Sequence, residues 1–210
     1  MLRDELRMYT RSHHERIERV LDLPGSIRHE ADYVRLLSSL FGFYMPYEAR
    51  LRFHGARLRA LNLEVDARLK AHRLIEDMQT CGLGKREISG LPLCLRVPQL
   101  PTWQHALGSM YVLEGSTLGS QIIARALGTR LRLNPDAQMN FLLSYGTRTG
   151  AMWRSFVESL NSIELSAPEQ SDVLAAAAET FEAMESWMSF AYATNHSLPQ
   201  PLTDAEEMRS

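Results

Sequence analysis

The stretch from Gly108 to Ile123, Gly-Ser-Met-Tyr-Val-Leu-Glu-Gly-Ser-Thr-Leu-Gly-Ser-Gln-Ile-Ile, most constrains what this chain can fold into. Read as a helix it is apolar nearly all round, so it must lie among other elements rather than on a surface. At 100° per residue Gly108, Gly115 and Gly119 project within about 40° of one another, which leaves one line of the helix bare of side chains. Each glycine inside a helix costs roughly 1 kcal/mol relative to alanine, so three on one line mark a place where something comes close to the backbone. That something is either a second helix packed through small residues or a flat, bulky ligand. The spacing alone leaves the two readings open.

The rest of the sequence supplies the surroundings. Leu2, Leu6, Tyr9, Ile17 and Val20 set a helical period that stops at Leu23-Pro24-Gly25, which predicts one helix over residues 2 to about 22. Tyr33, Leu36, Leu37, Leu40, Tyr44, Tyr47 and Leu51 predict a second, with a kink between Gly42 and Pro46 because proline cannot donate to the Gly42 carbonyl. A third is expected from Val65 to Cys81. Lys85 to Pro101 reads as a proline-rich connector with at most a turn of helix, and Thr102 is placed to cap the glycine-lined helix, which should end before Gly128. Asn134-Pro135-Asp136 opens a short helix to about Tyr145, and Trp153, Phe156, Val157 and Leu160 mark another. Ser166-Ala-Pro-Glu169 has the form of a capping box for a last long helix through four alanines to about Thr194. No period-two run, internal repeat or low-complexity block appears, so the expected class is all-α: one helical domain over 1–195 and a disordered tail over 196–210.

A 210-residue chain that is 45% hydrophobic suits one sizeable core. A formal charge of −2 gives no global field for nucleic acid or an anionic membrane, and neither is expected as a partner. Cys81 and Cys94 lack metal-ligand spacing and read as reduced thiols. With no apolar run near the roughly 20 residues that span a bilayer, a soluble, cytoplasmic protein is expected.

Chemistry concentrates in the first helix, Tyr9-Thr-Arg-Ser-His-His-Glu-Arg-Ile-Glu18. With His14 at 0°, Arg3, Arg7, Thr10, Arg11 and Glu18 fall within about 60° of it, whereas Leu2, Leu6, His13 and Val20 gather on the other flank. His13 thus reads as a packed residue. His14 has Glu18 one turn on, where a carboxylate can accept from the ring nitrogen that does not touch a metal. The plain alternative is a surface histidine with an i,i+4 carboxylate.

Together the two stretches resemble the haem oxygenase family, in particular its bacterial, biliverdin-producing branch. The motifs are Thr10-x-x-x-His14-x-x-x-Glu18, in which His14 matches the proximal haem iron ligand, and Leu113-Glu-Gly115-Ser-Thr-Leu-Gly119, which matches the glycine-rich distal helix. Leu40-Phe-Gly42-Phe-Tyr44 through Glu48, and Asn161-Ser-Ile-Glu164 leading into the last helix with Phe181, are weaker echoes. The resemblance implies oxidation of haem, at once cofactor and substrate, by dioxygen to biliverdin, carbon monoxide and ferrous iron. Electrons would come from an external donor such as a ferredoxin or a flavoprotein reductase, and a phytochrome-like protein is a candidate acceptor of the product. It further implies that Arg7 and Arg11 engage the propionates, that Tyr111 and Arg154 add edge or propionate contacts, and that Phe181 with Met184 lines the pocket. Gly115, Ser116, Gly119 and Ser120 form the distal surface, Ser116 being the candidate for holding an ordered water. Trp103, Trp153 and Trp187 read as core. Two departures stand out: Ser116 replaces the aspartate of animal members, and Ser120 replaces the second glycine of the usual pair. The Ser120 hydroxyl either faces the haem or turns back to the Thr117 or Ser116 carbonyl, and both departures bear on which meso carbon is oxidised. A haem-binding carrier or sensor without turnover, and a cofactor-free helical interaction protein, are the competing readings. Arg50, Arg52, Arg57 and Arg59 are a candidate docking patch for the donor.

Overall fold

The computed structural model describes residues 1–194, and among them there are helices and 3₁₀ turns but no strand. The helices are α1 (Leu2–Tyr9), α2 (Arg11–Leu21), α3 (Glu30–Leu51), α4 (Gly55–Arg59), α5 (Ala71–Thr80) and α6 (Lys85–Ser89). They continue with α7 (Trp103–Leu131), α8 (Pro135–Gln138), α9 (Asn140–Leu143), α10 (Thr149–Ser162) and α11 (Ala167–Thr194). The all-α class is as the hydrophobic periods require. The tail expected from His196 lies outside the described residues. No helix among those described is long and apolar enough to cross a membrane.

The centre of the molecule is α7 against α11. An added Cβ at Gly108 would run into the Val173 carbonyl and lie 3.2 Å from Ala176 Cβ. Beside it the fully buried Thr180 hydroxyl donates to Ser109 Oγ at 2.8 Å. The alanines of α11 thus let two backbones approach, and Gly108 belongs to this crossing. At the start of α11 the Glu169 half of the capping box forms: Ser166 N–H donates to Glu169 Oε2 at 2.9 Å, and the Ser166 hydroxyl donates to the same oxygen at 2.7 Å.

Helix α3 runs through Pro46. The Gly42 carbonyl that proline leaves without a helical donor accepts instead from the Cys94 N–H of the connector at 2.8 Å. The missing Gly42 side chain admits the connector and α11 together, since a Cβ there would sit 2.5 Å from the Trp187 ring and 2.6 Å from the Pro92 carbonyl. Proline and glycine four residues apart thereby make a docking point for two other segments.

Several expected boundaries differ. The first helix breaks into α1 and α2 at Thr10, where the buried hydroxyl donates to the Leu6 carbonyl at 2.7 Å; such back-bonding bends helices. The third begins at Ala71 rather than Val65, because Lys70 N–H and Ala71 N–H donate to the buried Glu48 carboxylate at 2.5 and 3.1 Å. Thr102 stands at the N-cap of α7, but its hydroxyl pairs with His105 Nδ1 at 2.8 Å rather than with the backbone. Gly128 does not end α7: its bare face receives Pro135, and the helix closes at Arg132 in the left-handed region, φ 57. The short helix after Asn134 is divided into α8 and α9 and stops at Ser144.

Candidate functional site: the slot between α2 and α7

Helix α11 packs on both α7 and α2, and it sets the distance between them. His13 turns toward α11, where Nε2 lies 3.1 Å from Glu182 Oε1, and Arg16 Nε donates to Glu185 at 2.9 Å. His14 also meets α11 but is the more exposed of the two, its side chain 55% exposed and its ring edge-on to Phe181 with centroids 5.8 Å apart. Nδ1 stands 3.4 Å from Glu18 Oε2, an ion-pair distance, so Nε2 lies on the far side of the ring from that carboxylate.

On α7 the three glycines, which share one line in the sequence, meet three different neighbours. Gly108 is filled by α11. Gly115 has the Trp153 ring 3.6 Å from an added Cβ, and Gly119 has nothing within 4 Å. Around Gly119 the helix shows apolar surface, with Leu118 43% and Ile122 69% exposed, although Val112, Leu113, Ala124 and Leu127 of the same helix are buried. A helix that is core at both ends and bare in the middle offers an apolar surface there. Trp153 is half-buried and packs against the core as expected, its ring 5.9 Å from Tyr111 and stacked on buried Phe156 at 5.8 Å.

The expected contact residues divide. Arg7 is exposed on α1, and its charge, with that of Arg3, acts on Tyr111; burial is the larger influence and raises the Tyr111 hydroxyl above its ordinary value. Arg7 and Tyr111 are therefore neighbours. Arg11 is 81% exposed and pairs with Glu15 Oε1 at 3.0 Å. Thr10 is buried at the bend, its hydroxyl spent on Leu6. Arg154 is exposed on α10, one turn from Gly150. Ser116 donates to its own helix at the Leu113 carbonyl, 2.9 Å, and the buried Tyr44 hydroxyl approaches it from α3. Ser120 turns back to the Thr117 carbonyl at 2.9 Å and also reaches the Leu142 carbonyl at 2.7 Å. The arginine patch is largely consumed internally: Arg50 donates to the Val97 and Pro98 carbonyls, Arg57 lies 5.1 Å over the Trp103 ring, and Arg59 pairs with Glu64 and Asp66.

The "Heme oxygenase" family model matches residues 91–189, which span α7, α10 and most of α11. Over this part, a little under half of the sequence, the chain is similar to haem oxygenases. The fold is similar to that of the haem oxygenase from Leptospira interrogans, with a TM-score of 0.75 and 18% identity over 90% of this chain and 98% of that one. It is also similar to that of the NO- and CO-bound haem oxygenase from Neisseria meningitidis, with a TM-score of 0.72 and 18% identity over 97% and 98% of the two chains. At that identity the two structures speak for the fold. No curated protein matches the chain.

Haem, the group that this likeness implies, needs an apolar face and an imidazole donor. The Gly119 face, which a Cβ could fill without touching anything, and the exposed Leu118 and Ile122 form an apolar floor. His14, an exposed imidazole with a carboxylate behind Nδ1, is of the donor type that a porphyrin iron takes. The residues fit.

Next to this face lies a buried charged network that sequence reasoning missed. Glu114, adjoining Gly115, accepts from Lys70 Nζ at 2.8 Å, from Tyr145 Oη at 2.7 Å and from Arg68. Burial works against the Glu114 charge, but Lys70 and Arg68 outweigh it and hold the carboxyl below its usual range. Arg68 lies 5.5 Å over the Phe156 ring and Lys70 5.3 Å over that of Tyr145. Glu48, one turn beyond Tyr44, is raised by burial although two backbone N–H groups oppose the shift. A signal was there to use: Glu48 and Glu114 are carboxylates at positions where the hydrophobic period calls for apolar side chains, and such groups are buried only when paired.

Proposed function

We propose that the chain cleaves haem oxidatively to biliverdin, carbon monoxide and ferrous iron, using dioxygen and electrons from an external donor. The observation that carries this reading is that α11 packs on both the helix of the exposed His14–Glu18 pair and the helix whose Gly119 face is uncovered. When bound, haem supplies the redox chemistry and the atoms that are oxidised. His14 would hold the iron through neutral Nε2, with Glu18 fixing the tautomer at Nδ1. Arg7, beside Tyr111, would meet a propionate and fix the rotation of the ring; Arg11 would have to leave Glu15 to assist, a small loss for an exposed pair. Phe181 packs edge-on against the imidazole and limits its swing. Gly115 and Gly119 keep side chains off the face where dioxygen reacts, and Ser116, backed by Tyr44, is the hydroxyl nearest that face for an ordered water.

The test is spectroscopic. Adding hemin to the protein should give a Soret band, and reductant with air should replace it by a biliverdin absorption. His14→Ala should abolish turnover, whereas His13→Ala, which loses only a contact to Glu182, should retain most of it. Equal losses would overturn the assignment. In the same assay Ser116→Ala should slow turnover or change the isomer. A haem complex that survives reductant and oxygen would favour a carrier or sensor, the reading that Ser120, tied to Leu142, makes the natural alternative.

A further inference from the structure

We propose that residues 140–149 form a strap that fixes the position of the Gly115–Gly119 strip, with Ser120 and Gln121 as the positioning residues through which it acts. The consequence for haem rests on the function proposed above; the strap itself does not. Helix α7 is 29 residues long, and over Gly115–Gly119 it has given up the side chains with which a helix is normally packed in place. Something outside the helix has to hold it there.

Residues 140–149 put polar contacts on both sides of the bare stretch, beside those that Lys70 and Arg68 make to Glu114. On the near side Tyr145 Oη donates to Glu114 at 2.7 Å. On the far side Ser120 Oγ reaches the Leu142 carbonyl at 2.7 Å, sharing its single proton with the Thr117 carbonyl at 2.9 Å. Gln121 Nε2 donates to the Gly146 carbonyl at 2.8 Å and to Thr149 Oγ1 at 2.7 Å. An alanine or glycine at 120 could make none of the first contact, and a second glycine is what the resemblance leads one to expect at this position.

The strap is itself anchored. Asp77, with no exposed surface, accepts from Asn140 N–H at 2.8 Å, Asn140 Nδ2 at 3.0 Å and Phe141 N–H at 2.9 Å, and so pins the start of α9. At the other end Thr149, 1% exposed, opens α10 and donates to the Gly146 carbonyl at 2.9 Å. Between the anchors Ser144 holds φ 55 and ψ −109 while 1% exposed, and its buried hydroxyl has no partner. A non-glycine residue in that region, with an orphan hydroxyl, persists only where its surroundings over-determine it. The turn it makes directs the carbonyls of 142, 143 and 146 toward α7.

Amide hydrogen exchange of the full-length, haem-free protein tests this without reference to catalysis. Ser120→Ala should speed exchange over residues 113–123 about fivefold, the equivalent of one net hydrogen bond, and Gln121→Ala by more, with the rest of the chain unchanged. Ser120→Thr, which keeps the hydroxyl, should restore protection. In the hemin-loaded, reduced protein, carbon monoxide should leave Ser120→Ala about fivefold faster than wild type and Ser120→Thr at the wild-type rate. Unchanged exchange over 113–123, or an equal rise everywhere, overturns the strap. Failure to bind hemin overturns the proposed function and leaves the exchange result to decide the strap alone.

Discussion

Replacing Glu114 by glutamine removes the counter-charge of two cations that have nowhere else to go. Lys70 is 3% exposed and Arg68 7%, so neither can turn into water when the carboxylate is lost. The substituted amide could still accept from Tyr145, and its size is nearly that of the carboxylate, so packing is preserved and the effect is electrostatic. Breaking a buried ion pair by removing one partner costs about 3–5 kcal/mol, because the remaining charge is desolvated without compensation. At about 2.1 cal/mol/K per residue the unfolding entropy of a chain this long is about 0.4 kcal/mol/K, so about 4 kcal/mol lowers Tm by about 10 °C. The pH dependence gives a second reading. The Glu114 carboxyl is held below its usual range. Its stabilisation is therefore fully present above the unfolded carboxylate pKa of about 4.3 and is lost as pH falls through the lower, folded value. The Tm gap between wild type and Glu114→Gln, followed by circular dichroism, should be constant from about pH 8 to pH 5 and close below about pH 4. A drop of less than about 3 °C at pH 7 would refute the reasoning. A triple change of Glu114, Lys70 and Arg68 to apolar residues of similar volume should recover much of the loss, since a buried ionic cluster is seldom more stable than a well-packed apolar one.

Other outcomes follow from the same geometry. Gly108→Ala drives a methyl into the Val173 carbonyl and should cost about 2–3 kcal/mol in urea unfolding, whereas Gly119→Ala meets nothing and should stabilise the haem-free protein by up to about 1 kcal/mol. The same Gly119→Ala change should weaken hemin binding in a Soret titration, because its methyl enters the slot; unimpaired binding would show that the strip does not face haem. Asp77→Ala leaves the start of α9 without its acceptors and should cost about 2–3 kcal/mol by chemical denaturation. Burial raises the Asp77 carboxyl, against the pull of Phe141 and Asn140 N–H groups, so its protonated form is favoured by folding. Wild type should therefore lose stability relative to Asp77→Asn as pH rises above about 4, and a difference that does not move with pH would contradict this.

The periods of apolar residues by themselves determined the helical class, the existence of α3, α7, α10 and α11, and the Glu169 half of the capping box at Ser166, because each depends on neighbours within one or two turns of the chain. The choice of His14 over His13 as the outward imidazole was likewise readable from angle alone, and the structure places them so. Local pattern could not divide the first helix at Thr10, since that bend follows from a buried hydroxyl turning on Leu6. Nor could it delay α5 to Ala71, where a carboxylate from α3 takes the first N–H groups. The glycine line shows the limit most clearly. Three equivalent positions on a helical wheel became a helix crossing at Gly108, a contact with Trp153 at Gly115 and open space at Gly119. Glu114 with Lys70 and Arg68, and Ser120 with Leu142, join residues 22 to 46 positions apart. Only the packing of α3, α5, α9 and α10 around α7 brings them together, and it is the exclusion of water there that turns isolated polar residues into a framework for the slot.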